Sequence, residues 1–278
     1  MSTRETVKKR PNPFYPAFDV LLAKLLAAEQ ALRVSEALFE NALESLDEWL
    51  AQIPGGELPG MLANICDSRI PGYVTNIPSF RWPDREEDNL LRAVRDLRSQ
   101  SCLWSIARAF EHFREFVDAV DGILPRDKGT CLRHLPTCIA RLVSRRRRAK
   151  VRGLEATLKR VRDAAPALEA CEKANARSIQ LQQWIRLAAH VRHAVAHNDG
   201  ILRSEKHEKY RSSGLEKHFP GELETDVGYV LMPTAEATMK AIRTFREYGV
   251  AIYKTISEAH GFPATLLGPN GDLTTWRR

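Results

Sequence analysis

Nine consecutive residues, Arg192-His193-Ala194-Val195-Ala196-His197-Asn198-Asp199-Gly200, gather a guanidinium, two imidazoles and a side-chain amide in one short stretch of a 278-residue chain. Metal-free cleavage of an RNA phosphodiester makes three demands. A proton must leave the 2′-hydroxyl, a proton must reach the departing oxygen, and the charge on the pentavalent phosphorus must be met. Imidazole titrates near neutral pH and serves the first two. Arginine is planar and permanently charged, which suits it to the third. A helix C-terminus favours the protonated imidazole, so His197 is placed to hold a donor proton.

The spacing imposes a condition. Five α-helical residues turn through about 500°, so Arg192 and His197 lie roughly 140° apart around the axis, whereas His193 and His197 share a stripe. The first pair converges only if Arg192 reaches around, if the helix unwinds near Asn198, or if a two-fold dimer brings two such helices together. The bare pattern Arg-x4–6-His also occurs at Arg186/His193 and Arg211/His218. Only Arg192/His197 combines a polar residue directly after the arginine, aliphatics on the inner face and the Asn-Asp-Gly exit. A metal is the rival reading, because His190, His193 and His197 fall at i, i+3 and i+7. Residue 194, where a zinc peptidase would carry a carboxylate, is alanine, so no metal and no cofactor are assigned.

Helical periodicity dominates the elements that must position these groups. The spacing predicts helices over 17–52, 86–121, 130–147 with a resumption to 162, 166–198 and 233–260. Residues 53–85 break the rhythm and read as an irregular insertion. Residues 201–225 read as an exposed charged loop, Val227–Met232 as one short strand, and the tail after 260 as irregular. The expected class is all-α, a helical bundle of about five long helices. The division is 1–85 as an N-terminal helix plus insertion packed on the bundle, 86–260 as the main helical domain, and 261–278 as a tail. Trp104, Phe110, Phe113 and Phe116 read as core aromatics.

Lys+Arg exceeds Asp+Glu by 42 to 35, a net charge of +7 that favours anionic partners. From Arg141 to Arg162 ten basic residues face the single acid Glu155. Arg145, Arg146, Arg147, Arg148 and Lys150 form its densest part. Such a run is most often a solvated helix face, and beside a phosphodiesterase motif it becomes a stripe that holds an RNA backbone. No segment is apolar for the length of a membrane helix, and the basic N-terminus lacks the apolar core of a secretory signal. Five cysteines without a C-x-x-C pair give neither a disulfide framework nor a zinc knuckle, so a reduced, cytoplasmic protein is expected.

The stretch RHAVAHNDG resembles the signature of the HEPN superfamily, Arg-x4–6-His with Asn, Asp or His directly after the arginine. The layout is similar too: an all-α bundle, the motif late in the chain at a helix end, and a closing helix behind it. Trp104 to Phe113, with Glu111, is similar to the aromatic and acidic helix that precedes the motif in some members. The resemblance covers about 86–260. It implies a metal-independent endoribonuclease acting as a homodimer, with the two motifs meeting at the interface. Arg192 and His197 would then be catalytic, His193 would assist, and Asn198 and Glu111 would support them. Many members are toxins or antiviral-defence effectors, which implies an antitoxin or other partner protein. Others have lost catalysis and bind RNA, a nucleotide or a partner, which is the alternative reading.

Overall fold

The computed structural model describes residues 11–44, 87–125, 153–224, 226–267 and 273–275. Four long helices carry the core: α1 (Tyr15–Glu44), α2 (Glu87–Ile123), α5 (Leu181–His197) and α8 (Ala235–Ala259). Shorter helices fill in between them: α3 (Leu154–Ala164), α4 (Ala167–Lys173), α6 (Ser204–Arg211) and α7 (Leu215–His218). Strands β1 (Ile201–Leu202), β2 (Gly221–Glu224) and β3 (Gly228–Leu231) form an antiparallel sheet in the order β1-β3-β2. A hairpin of β4 (Thr265–Leu267) and β5 (Leu273–Thr275) follows α8. The fold is an all-α bundle with a small strand element. Among the described residues no helix is long and apolar enough to cross a membrane.

Helix α1 runs antiparallel to both α2 and α8, as its ion pairs show. Lys24 meets Glu115 at 2.6 Å, and Arg98 Nε donates to Glu36 at 2.8 Å, which pins α1 to α2 near both ends. The buried Glu29 carboxylate holds Arg243 of α8 at 2.9 Å. Asn12 ties the start of α1 to α8 by donating to Ser257 at 2.8 Å. Leu21 lies over Gly249, where a side chain would displace it. Helix α8 starts just after Pro233, where the Thr234 hydroxyl accepts from the Ala237 N–H. Such a cap contributes about 1 kcal/mol.

Aromatic rings fill the centre. Phe245 of α8 meets Phe110 and Phe113 of α2 and the edge of Trp184 of α5, the last at 4.7 Å. Phe18 stacks on Tyr253 at 4.3 Å. Below them Arg162 of α3 grips Glu172 of α4 through its Nε at 2.8 Å, and Tyr248 donates its hydroxyl to the same carboxylate. Burial beside that carboxylate pushes the Tyr248 phenol far up, which keeps it a donor.

Five sequence expectations change. The helix expected over 166–198 is two, because the Asn175 amide competes for the backbone. Its Nδ2 donates to Ile179 O at 2.6 Å, its Oδ1 accepts from Arg177 N, and Ser178 takes a positive φ. Of the expected loop 201–225, residues 201–224 are not a loop but carry β1, α6, α7 and β2, docked by the buried anchors Leu202, His207, Leu215 and Phe219. The single strand becomes the centre of a three-stranded sheet, and part of the tail pairs as a hairpin. Trp104 is 57% exposed rather than core. From Trp104 to Phe113 is nine residues, two and a half turns, which sets them on opposite faces of α2.

Candidate active site

The motif occupies the last two turns of α5. Val191, Ala194 and Val195 point inward and fix the helix by burial. The helix stays regular through His197, since Asn198 N still donates to Ala194 O at 2.8 Å. Then it stops abruptly. Asp199 and Gly200 take φ of 49° and 84°, and Gly200 N also donates to Ala194 O. This is the left-handed exit that glycine makes cheaply. Gly200 O next accepts from Leu231 N, so β3 holds the exit in place.

Arg192 leaves the helix on the side of α2. Its Nε lies 2.5 Å from Glu111 Oε1, a charge contact with both side chains about a third exposed. Arg114 approaches the other oxygen of Glu111 at 3.8 Å. Glu111 thus lies against Arg192, between it and Arg114. His193 and His197 project from the outer surface, their ring centroids 4.7 Å apart. Because the helix does not unwind before Asn198, Arg192 and His197 of one chain diverge.

A contact between Gly200 and Leu103 complements that between Arg192 and Glu111, so α5 and α2 run antiparallel with a fixed register. This register sets the exposed Trp104 level with the Asp199-Gly200 exit. Trp104 also shares a stripe of α2 with Glu111, seven residues and about two turns on. An exposed aromatic, expected in the core, therefore stands on α2 near the level of the motif exit.

On the other flank, His190 turns away from the motif toward α6. It bonds the Tyr210 hydroxyl at 2.6 Å and lies against that ring. Burial, with Lys206, Lys209 and His193 nearby, lowers its pKa. The stripe of His190, His193 and His197 is therefore split, one ring to Tyr210 and two to solvent. Among the described residues no cluster of three potential metal ligands forms.

A cavity of about 260 Å³ opens between α5, β1 and α6, with His190, His193, Asn198, Arg203 and Lys206 in its wall. Arg203 and Lys206 were missed as site residues because their segment read as a loop. The available signal was a pair of cations three residues apart just beyond the motif glycine. A larger cavity, about 550 Å³, lies between α3, α4 and α5 away from the motif. Its wall mixes both signs of charge, and two of the cations are paired: Arg162 with Glu172, and Arg186 with Glu155 at 2.5 Å.

The proposed phosphate-holding stripe, Arg145, Arg146, Arg147, Arg148 and Lys150, lies outside the described residues. From the same basic run, Arg160 turns to Asp121 at 3.1 Å and Arg162 to Glu172, so these two serve the fold.

Gly200 links fold and site, which makes it a useful probe. A Cβ there would approach Leu103 Cδ1 to 2.8 Å, on a backbone conformation that L residues adopt at a cost. Gly200→Ala should lower stability by about 1–2 kcal/mol, read as a lower urea midpoint with unchanged slope. An unchanged midpoint would contradict the tight exit described here.

No family model, curated protein or solved structure matches this chain.

Proposed function

We propose that the protein is a metal-independent endoribonuclease whose active site is built from the Arg192–His197 motif of two protomers. The observation that carries this reading is the α5 terminus itself. An arginine, two exposed imidazoles and an amide are gathered in the last turns of one helix and its exit, held by buried aliphatics on one side and by β3 on the other.

In-line attack by an RNA 2′-hydroxyl on the adjacent phosphorus breaks the bond to the 5′-oxygen, leaving a 2′,3′-cyclic phosphate and a 5′-hydroxyl. His197 serves as the acid/base group and His193 supports it. Neutral imidazole accepts the 2′-hydroxyl proton, and protonated imidazole supplies the proton that the departing oxygen takes up. Arg192 meets the charge that builds on the non-bridging oxygens, and Glu111 orients that guanidinium. Asn198 is a further polar contact for the strand, and Trp104 offers the kind of face on which unpaired bases stack. The Arg145–Arg148 run, with Lys150, would hold the backbone.

The divergence of Arg192 and His197 within one chain favours a homodimer, in which Arg192 of one protomer meets His197 of the other. The HEPN resemblance points the same way and carries the biological setting, a toxin or antiviral-defence effector with a partner protein in the cytoplasm. A second reading, an inactive HEPN-like module that binds RNA, a nucleotide or a partner, draws on the same divergence, since the contact with Glu111 already occupies Arg192.

A substrate with one hydroxyl removed tests the chemistry. An RNA oligonucleotide carrying a single 2′-deoxynucleotide on the 5′ side of the cleaved bond should stay intact at that bond while its all-ribose twin is cut. Equal cutting of both would exclude attack by the 2′-hydroxyl. Binding of both without cutting would favour the second reading.

A further inference from the structure

We infer that the cavity between α5, β1 and α6 is a phosphate subsite, in which Arg203, Lys206 and His193 hold a backbone phosphate of the RNA strand that runs past the motif. The inference deepens the nuclease reading and rests on it for the identity of the strand.

Three observations converge. First, the cavity wall is cationic and contains no acid. His190, His193, Arg203 and Lys206 contribute basic nitrogens, Asn198 an amide, and Ile201 belongs to the apolar floor. The larger cavity beside α3 and α4, by contrast, has acids among its cations, with Arg162 and Arg186 paired to carboxylates. Second, Arg203 and Lys206 stand at the wrong end of their helix. Arg203 is the N-cap of α6 and Lys206 lies in its first turn beside the exposed Glu205, where the peptide dipoles already present positive charge and no side chain caps the free N–H groups. Glu205 offsets part of that charge but is not in the cavity wall, so the two cations and the helix end still favour an anion on the cavity side. Third, His190 registers the accumulated charge, since Lys206, Lys209 and His193 add to burial in lowering its basicity. At about 260 Å³ the space admits a phosphate with part of its ribose but not a duplex.

Position completes the argument. His193 lines the cavity and also touches His197 on the outer stripe, so the cavity adjoins the reacting groups without containing Arg192. A phosphate held there is a neighbour of the scissile one. The strand would then lie across the end of α5, with Trp104 on its far flank.

The test measures binding apart from cleavage. A fully 2′-O-methylated oligonucleotide, which cannot be cut by 2′-hydroxyl attack, is titrated by anisotropy over a salt series with wild type and with Arg203→Ala/Lys206→Ala. Both side chains are exposed, so the variant should keep the wild-type melting curve. We expect affinity to fall at least tenfold, with the slope of log K against log salt shallower by about 0.7 for the one phosphate released. In parallel, inorganic phosphate is added to wild type and the His190 and His193 imidazole resonances are followed. Shifts with phosphate, together with oligonucleotide binding unaffected by the substitutions, would identify a site for a free phosphate or mononucleotide. Absence of both effects would overturn the subsite. Loss of oligonucleotide binding in a protein that cuts no RNA would leave the subsite standing and remove the nuclease reading alone.

Discussion

Replacing Arg192 or His197 by alanine should lower RNA cleavage by a factor of about 10²–10⁴ for either residue, the range for losing a charge-stabilising donor or an acid/base group. The fold should hardly notice. Arg192 and Glu111 are each about a third exposed, and such a pair is worth at most about 1 kcal/mol. Glu111 Oε1 is buried under Arg192, so truncating Arg192 uncovers it to water, while Oε2 stays near Arg114 and the carboxylate is not left unsolvated. His197 is exposed on the outer stripe of α5. Melting curves should therefore overlay the wild type while initial rates collapse.

The same two variants report on the composite site when mixed. If Arg192 of one protomer works with His197 of the other, a mixed dimer has one site with both residues intact and one with neither. Equal mixing after exchange should restore about a quarter of wild-type activity, because half the dimers are mixed and each carries one of two sites. A site built within one chain would stay dead in every mixture.

Phe245→Ala should be the most damaging single substitution for stability, at about 3–5 kcal/mol. Phe245 is fully buried where α2, α5 and α8 cross, with Trp184, Phe113 and Phe110 around it. Rings from different helices cannot all move inward, so the substitution leaves a cavity. A fall in Tm on the order of 10 °C should follow, with a lower denaturant midpoint. Trp184 also anchors the motif helix, so activity should fall at temperatures well below that midpoint. A loss under 1 kcal/mol would mean that the three helices do not meet there.

The parts of this fold that follow 3.6-residue periodicity were legible in the residues. Helices α2 and α8 lie close to where their apolar spacing puts them, α5 ends where expected, and the closing helix starts just after Pro233. The motif glycine was legible as well, since only an abrupt exit needs Gly200 at positive φ. What periodicity misses is local competition and short elements. Asn175 breaks a helix through four side-chain bonds that no hydrophobic pattern encodes. The small sheet rests on strands of two to four residues, too short to show alternation, and on scattered anchors such as His207, which sits against Tyr229 and bonds Glu216 at 2.9 Å. Trp104 went astray because aromatics were grouped by type rather than by angle around α2. The motif and its glycine were thus within reach of sequence reasoning, which also singled out Glu111 as a supporting residue. The cationic cavity was not, because it needs α6, β1 and the far side of α5 in register.

One measurement bears most directly on the central claim. Purified protein and its Arg192→Ala/His197→Ala double variant are incubated with end-labelled RNA in excess EDTA, and the new termini are mapped. The account predicts cleavage by the wild type alone, with 2′,3′-cyclic phosphate and 5′-hydroxyl ends. Cleavage that the double variant retains, that EDTA abolishes, or that leaves a 3′-hydroxyl and 5′-phosphate would contradict it, as would a wild type that binds the RNA and leaves it whole.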